Sequence, residues 1–106
     1  MLPLTLTAKP GRPFSVRVEG TSVSLEWTAP DYNGHHVVVG YTIKYGVGGS
    51  DPEQFKKEYV DQAITTFTFK GLLQSKTSYV FAVATKTAAG DGPFSDFSDA
   101  VLTNTG

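Results

Sequence analysis

Apolar and polar residues alternate along this chain with a period of two. In Ser22-Val23-Ser24-Leu25-Glu26-Trp27 the apolar side chains take the odd positions and the polar ones the even, as a strand with one buried face requires. The alternation returns at Phe14, Val16 and Val18, at Val39, Tyr41, Ile43 and Tyr45, and at Phe67 and Phe69. It is longest at Tyr79, Phe81 and Val83, running on to Thr85 and Thr87. β-Branched and aromatic residues dominate these runs, which suits a pleated surface. Turn formers separate them: Glu19-Gly20-Thr21, Pro30-Asp31-Tyr32-Asn33-Gly34, Gly46-Val47-Gly48-Gly49-Ser50 and Ala89-Gly90-Asp91-Gly92-Pro93.

No segment carries a sustained helical face. Pro52 to Lys57 is the best candidate, and it is too short to stand alone in water. Gln54 to Tyr59 reads instead as an edge strand, where Lys56, Lys57 and Glu58 discourage edge-to-edge pairing. The pattern predicts strands over 14–19, 22–28, 38–46, 54–60, 64–70, 78–87 and 95–103, with no internal repeats. Short strands at this spacing make an all-β antiparallel sandwich or barrel.

Composition bounds the rest. The 106 residues fit one domain, which buries roughly two-thirds of its unfolded surface and folds without staples. The chain has no Cys, which excludes disulfides, thiolate metal sites and a cysteine nucleophile. Nine basic and ten acidic residues, mixed along the chain, argue against the clustered basic face of a nucleic-acid binder. No apolar run approaches the ~20 residues of a membrane-spanning helix. Met1-Leu2-Pro3-Leu4 lacks the basic start and long apolar core of a secretory signal. A Met just ahead of a well-formed domain fits a piece of a longer chain, with targeting information elsewhere.

Several ordered motifs now converge. Lys9-Pro10-Gly11-Arg12-Pro13 precedes the first strand, and Trp27 is followed by Thr28-Ala29-Pro30. Gly40-Tyr41-Thr42-Ile43-Lys44-Tyr45 marks the third strand. Leu73 stands six residues before Tyr79, and Gly90-Asp91-Gly92 is followed by Ser95. In this order and spacing the chain resembles a fibronectin type III domain over residues 10–103, with residues 1–9 and 104–106 as tails. The resemblance implies a seven-stranded antiparallel Greek-key β-sandwich.

Its core is expected to contain Val16, Val18, Leu25, Trp27, Tyr41, Ile43, Leu73, Tyr79, Phe81 and Val83. Trp27 supplies the apolar area to fill a sandwich without a disulfide. Tyr79 is placed to fold its hydroxyl back onto backbone near Leu73, a tyrosine corner. One departure is the pair Leu72-Leu73 after Gly71, an extra residue that calls for a bulge or a lengthened turn before Tyr79.

Candidate chemistry is sparse. His35-His36 near Asp31 is the one place that suggests a metal. Neighbouring strand residues point to opposite faces, however, and no further ligand follows at suitable spacing, so no metal site is expected. There is no Gly-x-Ser-x-Gly elbow and no Gly-x-x-x-x-Gly-Lys-Ser/Thr phosphate loop. Gly46-Val47-Gly48-Gly49 joins strands rather than opening a helix, which removes the dinucleotide reading. The chain is read as a non-enzyme without a cofactor.

Partner contact is expected at two loops, 30–37 and 87–94, lying at one end of the sandwich. The residues concerned are Asp31, Tyr32, Asn33, His35, His36, Asp91 and Phe94, with Tyr32 and Phe94 as aromatic anchors. Phe94 tucked against the core beside Pro93 is the alternative. Ala89 stands where some family members have the Arg of Arg-Gly-Asp, so integrin binding by that route is not expected. Lys44, Lys56, Lys57, Lys70, Lys76 and Lys86 are scattered among acidic residues, and a polyanion would need several on one face.

The resemblance implies a non-catalytic protein-interaction and spacer module of a larger cell-surface receptor or adhesion protein, extracellular and monomeric in isolation. The protein partner is unidentified, and nucleic acid is excluded. Membrane contact comes only through the parent protein. Two alternatives stay open: a cytoplasmic, sarcomeric module of a giant muscle or cytoskeletal protein, and an accessory domain appended to an enzyme.

Overall fold

Phe14–Glu19 (β1) and Ser22–Glu26 (β2) form a hairpin in which Glu19 pairs with Ser22. Gly20 lies at φ 58, the first central position of a two-residue turn, where a side chain is disfavoured. The computed structural model describes residues 9–30, 37–71, 73–88 and 90–104. Across them the remaining strands are Val38–Val47 (β3), Lys56–Val60 (β4), Thr66–Phe69 (β5), Ser78–Thr87 (β6), Gly90–Phe94 (β7) and Val101–Leu102 (β8). One antiparallel sheet runs β1-β2-β5, and the other β4-β3-β6-β7 with β8 also on β6. Alternating between these sheets, the chain makes the antiparallel sandwich expected.

The two inner faces meet over Val23, Leu25 and Phe69 from the first sheet and Tyr41, Ile43, Phe81 and Val83 from the second. The expected core residues Trp27, Tyr41, Ile43, Leu73, Tyr79, Phe81 and Val83 are all buried. Trp27 packs edge-on against Tyr41, with ring centroids 5.3 Å apart at 70°. Phe69 stands edge-on to Tyr45 at 4.8 Å and tilted to Phe81 at 5.2 Å. These offset and edge-on contacts suit the charge distribution of aromatic rings.

Several expectations need correction. Val16 is 50% exposed rather than in the core. The β1–β2 register slips between Ser15 and Arg17, so a bulge at Val16 breaks the alternation. On β1 it is Val18, opposite Val23, that packs against the core, while Ser15, opposite Leu25, stays exposed. A second slip between Val38 and Gly40 exposes Val39 and turns Val38 toward the core.

The expected strand 54–60 begins later, at Lys56. A 3-10 turn at Pro52–Gln54 precedes it, capped by Asp51, whose carboxylate accepts from Glu53 N at 3.0 Å. The expected last strand, 95–103, is divided. Its ladder is made earlier, by β7, and later, by β8. Leu72, where the extra residue was expected, lies outside the described residues; in the turn before Tyr79, Gly71 and Lys76 adopt φ 70 and φ 51. Across β2 and β5 the register runs unbroken and keeps Phe69 inside.

Candidate functional site: the sandwich end and the outer sheet face

The candidate partner residues Asp31, Tyr32, Asn33, His35 and His36 lie outside the described residues. Asp91 and Phe94 were expected on a loop and instead belong to β7, paired with Lys86 and Ala84 of β6. The connection is therefore a short turn from Thr87 to Gly90, in which Thr87 Oγ1 donates to Gly90 O at 3.1 Å. Val38 pairs with Thr87, so this turn and the start of β3 sit at one end of the sandwich.

At that same end the chain approaches β1. Gly11 N donates to Thr28 O at 3.1 Å, and Lys9 pairs with Asp96 at 2.9 Å. The ammonium holds the Asp96 carboxyl below its ordinary range. An open cleft of about 440 Å³ lies between Lys9, Arg12, Thr28 and Asp96. At the opposite end, Asn104 N donates to Gly20 O at 2.8 Å.

Two serines account for the divided last strand. Ser95 N donates to Val83 O at 2.7 Å, while Val83 N donates to Ser95 Oγ at 3.0 Å. Three residues on, Ser98 repeats this with Phe81, at 2.7 and 3.1 Å. Each serine satisfies both backbone groups of a buried β6 residue, one with its amide and one with its hydroxyl. β6 is thus paired here without a regular strand.

The spacing of three carries Phe94 and Phe97 along with the serines. Phe97 meets Phe55 edge-on at 5.6 Å, and Phe55 in turn covers Gly46, where a Cβ would lie 2.1 Å from its ring.

Phe94 lies on the outward face of the second sheet. The registers set Tyr59, Thr42, Ala84 and Phe94 in one row across β4, β3, β6 and β7. Lys44 Nζ stands 4.6 Å from the Phe94 ring centroid and Lys57 Nζ 5.9 Å from the same centroid. Lys86 Nζ lies 5.6 Å from the Tyr59 centroid. Attraction between ammonium and ring face fixes all three. Periodicity carries a signal for this cluster: Lys44 and Lys86 alternate with the inward residues of β3 and β6. The signal is faint because the lysines are dispersed in sequence and converge only through pairing.

Among the described residues no group of three or more His, Asp or Glu is placed to hold a metal. Burial raises the phenol pKa of Tyr41, and burial followed by the Glu58 charge raises that of Tyr45.

A sequence model of the fibronectin type III domain matches residues 8–101. Among solved structures, titin module A71 from human cardiac muscle is 28% identical, with 90% of each chain covered and a TM-score of 0.76. The twitchin kinase region from C. elegans is 20% identical over 93% of this chain, with a TM-score of 0.82. The chicken CNTN1 FN1–FN3 domains are 21% identical over 92% of it, at 0.79. This chain spans 17% of the twitchin fragment and 33% of the CNTN1 fragment, and at those identities the likeness is one of fold. Joined to the two-sheet frame and to a corner in which Tyr79 Oη accepts from Gln74 N, the sequence match shows that the chain belongs to the fibronectin type III domain family, whose members are typically non-catalytic modules of larger multidomain proteins.

Proposed function

We propose that the chain is a non-catalytic protein-interaction and spacer module of a larger multidomain protein, of the cell-surface receptor or adhesion type. The observation that supports this is the path of the chain. Lys9 and Gly11 lie beside Asp96 and Thr28, past the end of β2, whereas Asn104 is bonded to the turn that starts β2. Arrival and departure are therefore at opposite ends, and successive modules joined this way extend in series with tension running along the strands.

Partner contact is assigned to residues 31–36 and to the Thr87–Gly90 turn, since connections between the strands of a rigid sandwich commonly carry recognition. The isolated module is monomeric, binds no nucleic acid and meets a membrane only through its parent. A second reading, a module of an intracellular muscle or cytoskeletal protein, draws support from the likeness to titin A71.

The test is capture from tissue extract on the immobilised module, beside a control with residues 31–36 and 88–89 replaced by Gly/Ser and β7 left intact. A partner kept by the native module and lost by the control supports the loop assignment, and the partner's own compartment chooses between the two readings. Equal capture by both removes the assignment.

A further inference from the structure

A pocket of about 240 Å³ lies at the Asn104 end of the sandwich, opposite the Thr87–Gly90 turn. The end of β3, the 3-10 turn and the turn before β6 frame it, and Tyr45 and Tyr79 line it. Both tyrosines are more than nine-tenths buried. The Tyr45 ring is held inside by Phe69, edge-on, and by Phe81, stacked at 6.4 Å. Its hydroxyl, however, has no hydrogen-bond partner among the described residues. The Tyr79 hydroxyl accepts from Gln74 N, which leaves its own proton free to donate. A buried polar group without a partner costs free energy, and the pocket is the space from which a partner can reach these hydroxyls.

The lining sets the chemistry of that partner. Ser50, Gln54 and Gln74 add a hydroxyl and two carboxamides, and no carboxylate lines the pocket, so a cation finds no counter-charge within it. The one lining cation, Lys56, is exposed, while Glu58 is near enough to Tyr45 to help raise its phenol pKa. With charges of both signs close by, an anion gains little. A pure donor such as an indole N–H would leave both phenol protons without an acceptor. Size narrows the class further. A cavity of ~150 Å³ takes benzene, so this one takes a single six-membered ring with a small substituent.

We propose that this pocket is a binding site for a small neutral one-ring molecule that presents an acceptor oxygen to the Tyr45 and Tyr79 hydroxyls. Val47 and Phe55 supply apolar surface for the ring, and the carboxamides supply polar contacts for its substituents. The site lies at the other end of the sandwich from the loops assigned to partner contact, so the two assignments stand or fall separately.

The test is titration of the intact chain with p-cresol, followed by the backbone amide signals in NMR. The amides of Ser50, Lys56 and Gln74 are expected to shift and to saturate at about millimolar p-cresol, as suits a ligand of so few atoms. Toluene, which lacks the oxygen, is expected to bind about tenfold more weakly, the loss of one hydrogen-bonded group. Tyr45→Phe keeps the ring and is expected to weaken p-cresol by about the same factor while leaving toluene unchanged. Val47→Phe, at an exposed strand position, brings a ring of its own to the pocket and is expected to weaken both. Arg12→Gln, in the cleft at the other end, is expected to change neither. Melting curves confirm that each variant is folded. No saturable shift, which would leave the pocket to water, would overturn the proposal. So would equal binding of p-cresol and toluene, tighter binding of p-toluate or benzylammonium, or an equal loss in Arg12→Gln.

Discussion

Tyr79 Oη accepts a hydrogen bond from Gln74 N at 2.8 Å, closing a corner five residues long. Thr103 Oγ1 donates to Gln74 O on the other side of the same residue. Gln74 is thereby fixed through both its amide and its carbonyl, and the turn that leads into β6 is tied to the segment just after β8. The phenol acts as acceptor, so the corner protects a backbone donor that would otherwise be stranded.

Tyr79→Phe keeps the ring and removes that acceptor. Unfolding free energy should fall by about 1–2 kcal/mol, since a part-buried N–H loses its partner. Urea denaturation measures it, and a change within error would contradict the corner's role.

Ser95→Ala and Ser98→Ala each leave a buried β6 amide without its acceptor, that of Val83 and of Phe81 respectively. Each should cost about 1–3 kcal/mol. Hydrogen exchange should quicken at the matching amide first: at Val83 for Ser95→Ala, at Phe81 for Ser98→Ala. Uniform acceleration, or none, would mean that the hydroxyls do not carry these bonds.

The alternation treats Val16 like the buried Val23, yet the bulge on β1 leaves Val16 exposed. Val16→Thr should change stability by no more than about 0.5 kcal/mol. Val23→Thr, fully buried, should cost about 1–3 kcal/mol for an unpaired hydroxyl. Equal losses in chemical denaturation would return Val16 to the core.

Tyr41 and Tyr45 have folded-state pKa values above the ordinary 10.0, through burial in both and also the Glu58 charge in Tyr45. The folded state therefore holds these protons more tightly than the unfolded one. Stability should stay level up to about pH 9 and fall as pH rises from about 10 through the folded values. Urea midpoints across that range measure the decline, and Tyr45→Phe should make it shallower. An unchanged slope would assign the decline to other groups.

The frame was legible because its signals are local. A period of two, turn residues and the Trp27, Leu73 and Tyr79 positions gave two sheets and most of the core. Bulges were not legible: one extra residue at Val16 or Val39 changes no composition, yet it reverses which side chains face inward on one side of it. Ser95 and Ser98 were hidden because a side-chain hydroxyl there takes the place of a strand partner, which alternation cannot register. The lysine cluster was hidden for another reason, since Lys44, Lys57 and Lys86 meet only through the registers of three strands.

The path of the chain through the sandwich is the basis of the spacer reading, and one distance tests it. The chain has no native cysteine, so Lys9→Cys/Asn104→Cys takes two spin labels cleanly. Double electron–electron resonance should give a mean separation of about 30 Å, the length of a ten-residue strand such as β3 or β6 at ~3.3 Å per residue. A mean below about half that length would place arrival and departure at the same end, and the series-spacer account would fail.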